Sequence, residues 1–502
     1  EKSELTRGWR WDGAQLALLA ISFLLLKLGI IYRERSHLPL GPFPFPILGN
    51  LWQLSFQLHP EPLRGIVSLQ LAHTHGNVLT MWVGSMPVVV LNGFWVVKEA
   101  LVSNSEQFSG RPLTPLFRDL FQERGIICSN GHRWRQQRRF CLVTLCGLGL
   151  GKLALELQLQ EEAADLAEAF QQEQGRPFNP QVPIIKSMAR VTGALMFGHC
   201  FLLEEPFLQE LTQAIDFGLA IVSTIWHSWG GRLVGQRCLG TRRLCGAICQ
   251  EISRHKLRTS EAPKDFISCY LAQINEATDD PISTFNEENL IQVVSDLFLG
   301  GTDTTATTLC WALIYMVQHG AIQERVQREL DMVLGTSQAV HYEDQERLPY
   351  TSTIGTLILG RCIGYRNILP NGSFFLSQLL LRDYKFRNQL PLQGTIVLLN
   401  LASVLYDPQC WETPRQFNPG HFLDKNGNFL VNEASLLFSA GTGHTLPDVC
   451  RPLRTFRFQL PEGSPGLRLE YIFGGTRQPQ PQKIFAVPHL NCYNPGPREE
   501  GL

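Results

Sequence analysis

The stretch that most restricts this chain is GAQLALLAISFLLLKLGIIY, from Gly13 to Tyr32, with Lys27 as its one charge. About 20 apolar residues suffice to cross a hydrocarbon core, and a helix is the form that satisfies its own backbone there. Lys27 stands in the second half of the span, where a long side chain can snorkel to the interface. A cleaved signal peptide is the rival reading, but Arg33, Glu34 and Arg35 follow the run where a small-residue cleavage site would stand. The pattern therefore predicts an uncleaved membrane anchor over 13–32. Lys2, Arg7 and Arg10 precede it and Arg33 and Arg35 follow, so charge does not orient it. Glu1, not Met, opens the chain, as expected of an incomplete or processed N-terminus. LPLGPFPFPILGN follows over 38–50. Its four prolines cannot be helical, so a stiff extended strut is expected, packed on the folded part by its apolar content.

The 502 residues are 44% hydrophobic and 18% charged, with net charge −1 and pI near 7.0. A large core is therefore expected. There is no basic excess of the kind nucleic acid requires. Thirteen cysteines scattered from Cys128 to Cys492 form neither a disulfide framework nor a zinc pattern, which suits buried thiols in a reducing compartment. Runs such as NVLTMWVGSMPVVVLNG predict a β-hairpin around Gly84 to Pro87. From about 130 to 335 the apolar spacing is helical, and short strands return after 375. The outline is mainly α with small β-sheets near both ends.

One helix carries an interruption. Thr284 to Glu287 form a capping-box pattern, and Leu290, Val293, Val294, Leu297 and Phe298 follow at helical spacing, predicting a helix to about His319. Within it lies GGTDTTATT, where each glycine costs about 1 kcal/mol relative to alanine. Gly300 and Gly301 would let something flat approach, and Asp303 with Thr304 would make a proton relay. The competing reading has the threonines bonding back to the carbonyls of the preceding turn.

Taken in order, the anchor, the 38–50 strut, NGHRWRQQRRF at 130–140, GGTDTT at 300–305, ETPRQFNPGHFLD at 412–424 and FSAG at 438–441 resemble a microsomal cytochrome P-450, most nearly of family 2. The resemblance covers almost the whole chain. It implies a cytochrome P-450 fold, mainly α with small β-sheets, behind a single N-terminal transmembrane helix. Residues 51–502 would be one domain, with a helix-rich core at 130–335 and a haem-loop remnant at 436–456. It implies haem (iron protoporphyrin IX), an NADPH-dependent flavoprotein reductase, O₂-dependent oxidation of lipophilic small molecules, and an endoplasmic reticulum location with the catalytic domain on the cytosolic side. By the same likeness Trp134 and Arg138 reach the haem propionates. Gly301 would lie against the distal haem face, with Asp303 and Thr304 as catalytic proton carriers. Phe417, Pro419 and His421 match a segment that locks the loop before the haem ligand.

Two family features are absent. Leu348 to Arg382 contain no Asp or Glu, so Arg361, Arg366 and Arg382 have no local acid for an E-x-x-R pair; they are expected to be exposed or to weaken the fold. Counted from Phe438, the pattern F-x-x-G-x-R-x-C puts an arginine at 443 and the ligand cysteine at 445, but Gly443 and Thr445 stand there. Three arrangements are open: Cys450 as a displaced iron ligand, His444 through its imidazole, or no protein ligand. An imidazole lacks the thiolate's electron push. Pro447 and Pro452 predict that no helix forms between 445 and Phe456, so the family's proximal helix is expected to be missing. Impaired or absent oxygenase chemistry follows, as does the alternative of an inactive membrane-anchored protein of this fold that binds apolar ligands or partners. A degenerate copy or splice product that does not fold stably is a third expectation. Asn371-Gly-Ser373 is a glycosylation pattern that would stay unmodified in the cytosol.

Overall fold

The computed structural model describes residues 13–50, 71–113, 118, 121–149, 153–199, 239–257, 263–335, 340–364, 378–379, 393–435, 446–474 and 476–489. The chain forms two compact units, Glu1–Gly110 with Ser377–Ser403, and Arg111–Leu376 with Val404–Leu502.

In the first unit, helix α1 spans Gly13–Arg35, somewhat beyond the expected 13–32. It is long and apolar enough to cross a membrane, and its apolar side chains are almost all exposed. Lys27 lies over the Phe23 ring at 5.8 Å. The strut that follows is not helical, as its prolines require. It docks through backbone and amide groups: Asn50 donates its N–H to the Trp82 carbonyl at 2.7 Å and accepts the Trp82 N–H on Oδ1 at 2.8 Å. Leu38, Pro39, Pro42 and Pro44 are buried, in line with the expected apolar packing, while Phe43, Phe45 and Leu48 remain exposed. The expected hairpin is present, with β1 (Val78–Val83) antiparallel to β2 (Met86–Leu91) across Gly84 and Ser85. The sheet is completed by β3 (Gln378–Leu379) and β4 (Ile396–Leu399) in the order β1-β2-β4-β3, with β2 and β4 parallel.

The second unit is helical. Its elements are α2 (Gly131–Gly147), α3 (Leu153–Gln172), α4 (Gln181–Phe197), α5 (Leu239–Leu257), α6 (Phe266–Glu276), α7 (Glu287–Gln318), α8 (Gly320–Leu334), α9 (Pro349–Gly364) and α10 (Leu446–Thr455). Two small pairs close it, β5 (Phe456–Gln459) with β8 (Phe485–Pro488) and β6 (Tyr471–Gly474) with β7 (Thr476–Pro479). The axis of this unit is α7, 32 residues long. Leu290, Val293, Val294 and Phe298 are fully buried in its first half, as their spacing predicts. Its second half, from Ala306 to Ile314, is buried all round in one core with α3, α4, α8, α9, β5 and β8. The helix starts differently from expectation: Asn286 is the cap and accepts the Asn289 N–H at 2.8 Å, satisfying one of the donors a helix start leaves open. The Thr284 hydroxyl is engaged instead by Gln136 and Gln137.

The expectation that two prolines prevent a helix after 445 is overturned. Helix α10 has ten residues and contains Pro452. Pro447 sits in the first turn, where a missing N–H breaks no intrahelical bond. Tertiary contacts offset the penalty at Pro452. Leu453 is 1% exposed, and buried Gln327 of α8 donates to the carbonyls of Leu453 at 2.9 Å and Phe456 at 3.0 Å. Arg451 donates to the Gln160 carbonyl at 2.9 Å, and Arg454 donates to that of Gly335.

Candidate functional site

The glycine pair does not break α7, and the two glycines do different work. A side chain at Gly300 would meet nothing within 4 Å, whereas a Cβ at Gly301 would sit 2.8 Å from the Thr192 hydroxyl of α4. Gly301 therefore lets α4 approach, and Gly300 is the open position. Thr304 donates its hydroxyl to the Gly300 carbonyl, and Thr308 does the same to Thr304 at 2.8 Å. The back-bonded threonine geometry expected as the competing reading is thus present. Asp303 is buried and accepts a hydrogen bond from Gln478 of β7 at 3.0 Å on Oδ1. Thr302, also buried, has a hydroxyl with no partner among the described residues.

Trp134 and Arg138 lie one turn apart on α2, with the guanidinium over the indole at 5.6 Å. Arg138 is exposed and has no carboxylate partner among the described residues. Gln137, between them, is fully buried; it accepts the Tyr270 hydroxyl at 2.7 Å and donates to the Thr284 hydroxyl at 2.9 Å. One polar knot thus ties α2 to α6 and to the segment that opens α7. Asp303, Thr304 and Gly301 share α7, and Trp134 and Arg138 share α2.

A further acid escaped notice in the sequence. Asp296 lies seven residues before Asp303, on the same side of α7. It is buried and accepts the backbone N–H groups of Ile126 at 2.7 Å and Ile127 at 3.0 Å, plus the Gln292 amide at 2.8 Å. Gly125 takes φ +75°, and a Cβ there would lie 2.3 Å from the carboxylate. Burial pushes the Asp296 carboxyl up to about 6, against the pull of these donors. A carboxylate in an otherwise apolar helical stretch was the signal that could have found it.

The segment after α9 docks as a support. Phe417 stacks on Tyr315 and on His319, each with centroids 4.9 Å apart. His421 accepts the Thr413 N–H at 3.2 Å, and Asn418 caps the turn Pro419–Phe422. Beside His421, a cavity of about 40 Å³ is bounded by Leu357 and Gly360 of α9 and by Trp411 and Phe422. Three residues before Arg361, where an acid is absent, Ile358 is buried in the core. At the N-terminus of α9 the Glu329 carboxylate accepts the Tyr350 N–H at 2.9 Å and the Thr351 N–H at 2.7 Å. That places a negative charge at the positive end of the helix. The side chain of Arg361, residues Arg366 and Arg382, the Asn371 pattern, and Phe438 to Thr445 with Gly443 and His444 lie outside the described residues. Cys450 is the fifth residue of α10, and its side chain also falls outside that description.

The model of the family Cytochrome P450 matches residues 39–442. The chain is 33% identical to cytochrome P450 2D27 of Mesocricetus auratus over 95% of its own length and 98% of that relative. It is 34% identical to cytochrome P450 2D4 of Rattus norvegicus over 94% of the chain and 98% of that protein. It belongs to the cytochrome P450 family. With cytochrome P450 2J5 of Mus musculus the identity is 33%, over 95% of this chain and 96% of the relative. The P450 fold, mainly helical with small sheets, and the haem that the family implies follow from that membership, as does a family-2-like character. The family is one of monooxygenases.

Proposed function

We propose that this P450 is an endoplasmic reticulum protein, anchored by α1 with its folded part on the cytosolic side, whose haem-thiolate monooxygenase chemistry is impaired. The observation that carries the reading is Thr445 at the position where the family pattern puts the ligand cysteine. Helix α10 begins at Leu446, the next residue, so 445 directly precedes a helix as the family's ligand does. Cys450 lies five residues further on, with Leu446 to Val449 between, which is more than a full helical turn away. The family-model match ends at 442, ahead of this point. A threonine hydroxyl does not replace a thiolate on iron.

Other residues suit haem. Arg138, held over Trp134 without a carboxylate partner among the described residues, is a partner for a propionate. Gly300, where a side chain would meet nothing within 4 Å, leaves that stretch of α7 open, and Asp303 and Thr304 would hold and pass a proton there. A thiolate-bound haem would supply dioxygen activation, and Thr445 offers no thiolate for it. The electron partner in this reading is an NADPH-dependent flavoprotein reductase, and the ligand is a lipophilic small molecule. The alternative, a membrane-anchored protein of this fold that binds apolar ligands or partners without turnover, rests on the same Thr445.

The test is reductase-supported oxidation of lipophilic substrates by the full chain in lipid discs. Turnover at background, gained by the double variant Gly443→Arg/Thr445→Cys, is the expected result. Wild-type turnover that disappears in Cys450→Ala would overturn it.

A further inference from the structure

A cleft of about 560 Å³ opens between α3 and α4. That is within the range of about 300–1,000 Å³ typical of small-molecule pockets. Its chemistry is unfinished. Glu162 is 4% exposed; its Oε1 accepts from Arg190 at 3.1 Å, and its Oε2 has no partner among the described residues. Ser187, 5% exposed, also lines the cleft with a hydroxyl that lacks a partner among those residues. Arg190 is shared with Asp165 at 3.2 Å, so one guanidinium serves two carboxylates. Among the residues that line the cavity, the three acids Glu162, Asp165 and Glu173 are set against two bases, Lys186 and Arg190, which leaves one negative charge when all are ionised. Buried Leu166 and Phe178 supply an apolar floor.

We propose that this cleft binds a small organic cation, an ammonium group carried on an apolar body of aryl size. The ammonium donates to Glu162 and Ser187 and neutralises the surplus charge, while the body rests on Leu166 and Phe178. A neutral or anionic analogue leaves the Glu162 carboxylate unanswered. Burial pushes the Glu162 carboxyl up to about 7, against the pull of Arg190 and with the push of Asp165 and Glu161. Besides these, Lys186 faces the cleft from α4 and Glu173 from the end of α3, and Arg451 of α10 approaches Asp165. The cation needs the ionised carboxylate, so affinity rises as pH climbs through about 7.

The probe is phenethylammonium, set against 2-phenylethanol and 3-phenylpropionate and titrated onto the full chain in lipid discs by ligand-observed NMR. The expected result is binding of the cation at least tenfold tighter than of either analogue, weakening several-fold from pH 8 to pH 6. Glu162→Gln should abolish the preference for the cation. Should that variant fold poorly, Val182→Trp tests the same site, because exposed Val182 lines the cleft and an indole there fills it without touching the charges. Equal affinity for the alcohol, or cation binding retained in both variants, overturns the proposal; the latter assigns the amine to another site.

Discussion

Helices α7 and α10 bring opposite kinds of weakness to the same unit. In α7 the local sequence is poor, with adjacent glycines and five threonines from Gly300 to Thr308, yet the helix is continuous because its flanks are buried apolar turns. In α10 the chain is shorter and holds a proline, and almost everything that keeps it helical comes from elsewhere: the Gln327 amide, the Gly335 and Gln160 carbonyls, and the core around Leu453. A helix sustained by its own flanks keeps its register. One sustained by neighbours shows that the fold can close around 446–455 although Thr445 stands at the ligand position.

The contrast can be broken by mutation. Leu453→Ala empties a core site under α10 and should cost about 2–5 kcal/mol in urea unfolding. An effect below about 0.5 kcal/mol would mean that α10 is not docked there. Gln327→Ala leaves two buried carbonyls unpaired and should cost about 1–3 kcal/mol, the direct measure of how far α10 and β5 depend on α8.

On the α7 side, the folded-state carboxyl of Asp296 lies above its ordinary value of 3.8, at about 6. Its contribution to stability is therefore fully present below the ordinary value and is lost as pH rises through about 6. Asp296→Asn should remove its share of that slope, seen as an unfolding free energy that falls less steeply over this window, with the part due to Glu162 remaining. An unchanged slope would assign the titration to another group. The smallest effect is expected for Thr304→Ala, whose partly exposed hydroxyl, among the described residues, bonds back within its own helix alone. Its unfolding free energy should stay within about 0.5 kcal/mol of the parent.

The same contrast explains what was legible in the sequence. The limits of α7 could be read because caps and apolar spacing are local signals, and its end at Gln318 with a His319 cap matches the expected stop. Its start was misplaced by two residues because the Thr284 hydroxyl answers to Gln136 and Gln137, 148 and 147 positions away. Helix α10 could not be read, since Pro452 is a local signal and its compensation is tertiary. Asp296 was missed for a similar reason: its partners are N–H groups at 126 and 127, in a segment the spacing along α7 does not name. Asp303, Thr304, Trp134 and Arg138 were legible as motifs, and their placement on two helices tied through Gln137 and Thr284 was not.

The proposal that Thr445 leaves this P450 without a thiolate on its iron is tested most directly by the reduced carbon-monoxide difference spectrum of the purified full chain. Little or no thiolate-type Soret band is expected. A band of imidazole type lost in His444→Ala would make the chain a haem binder without normal oxygenase chemistry. A strong thiolate-type band abolished by Cys450→Ala would contradict the claim.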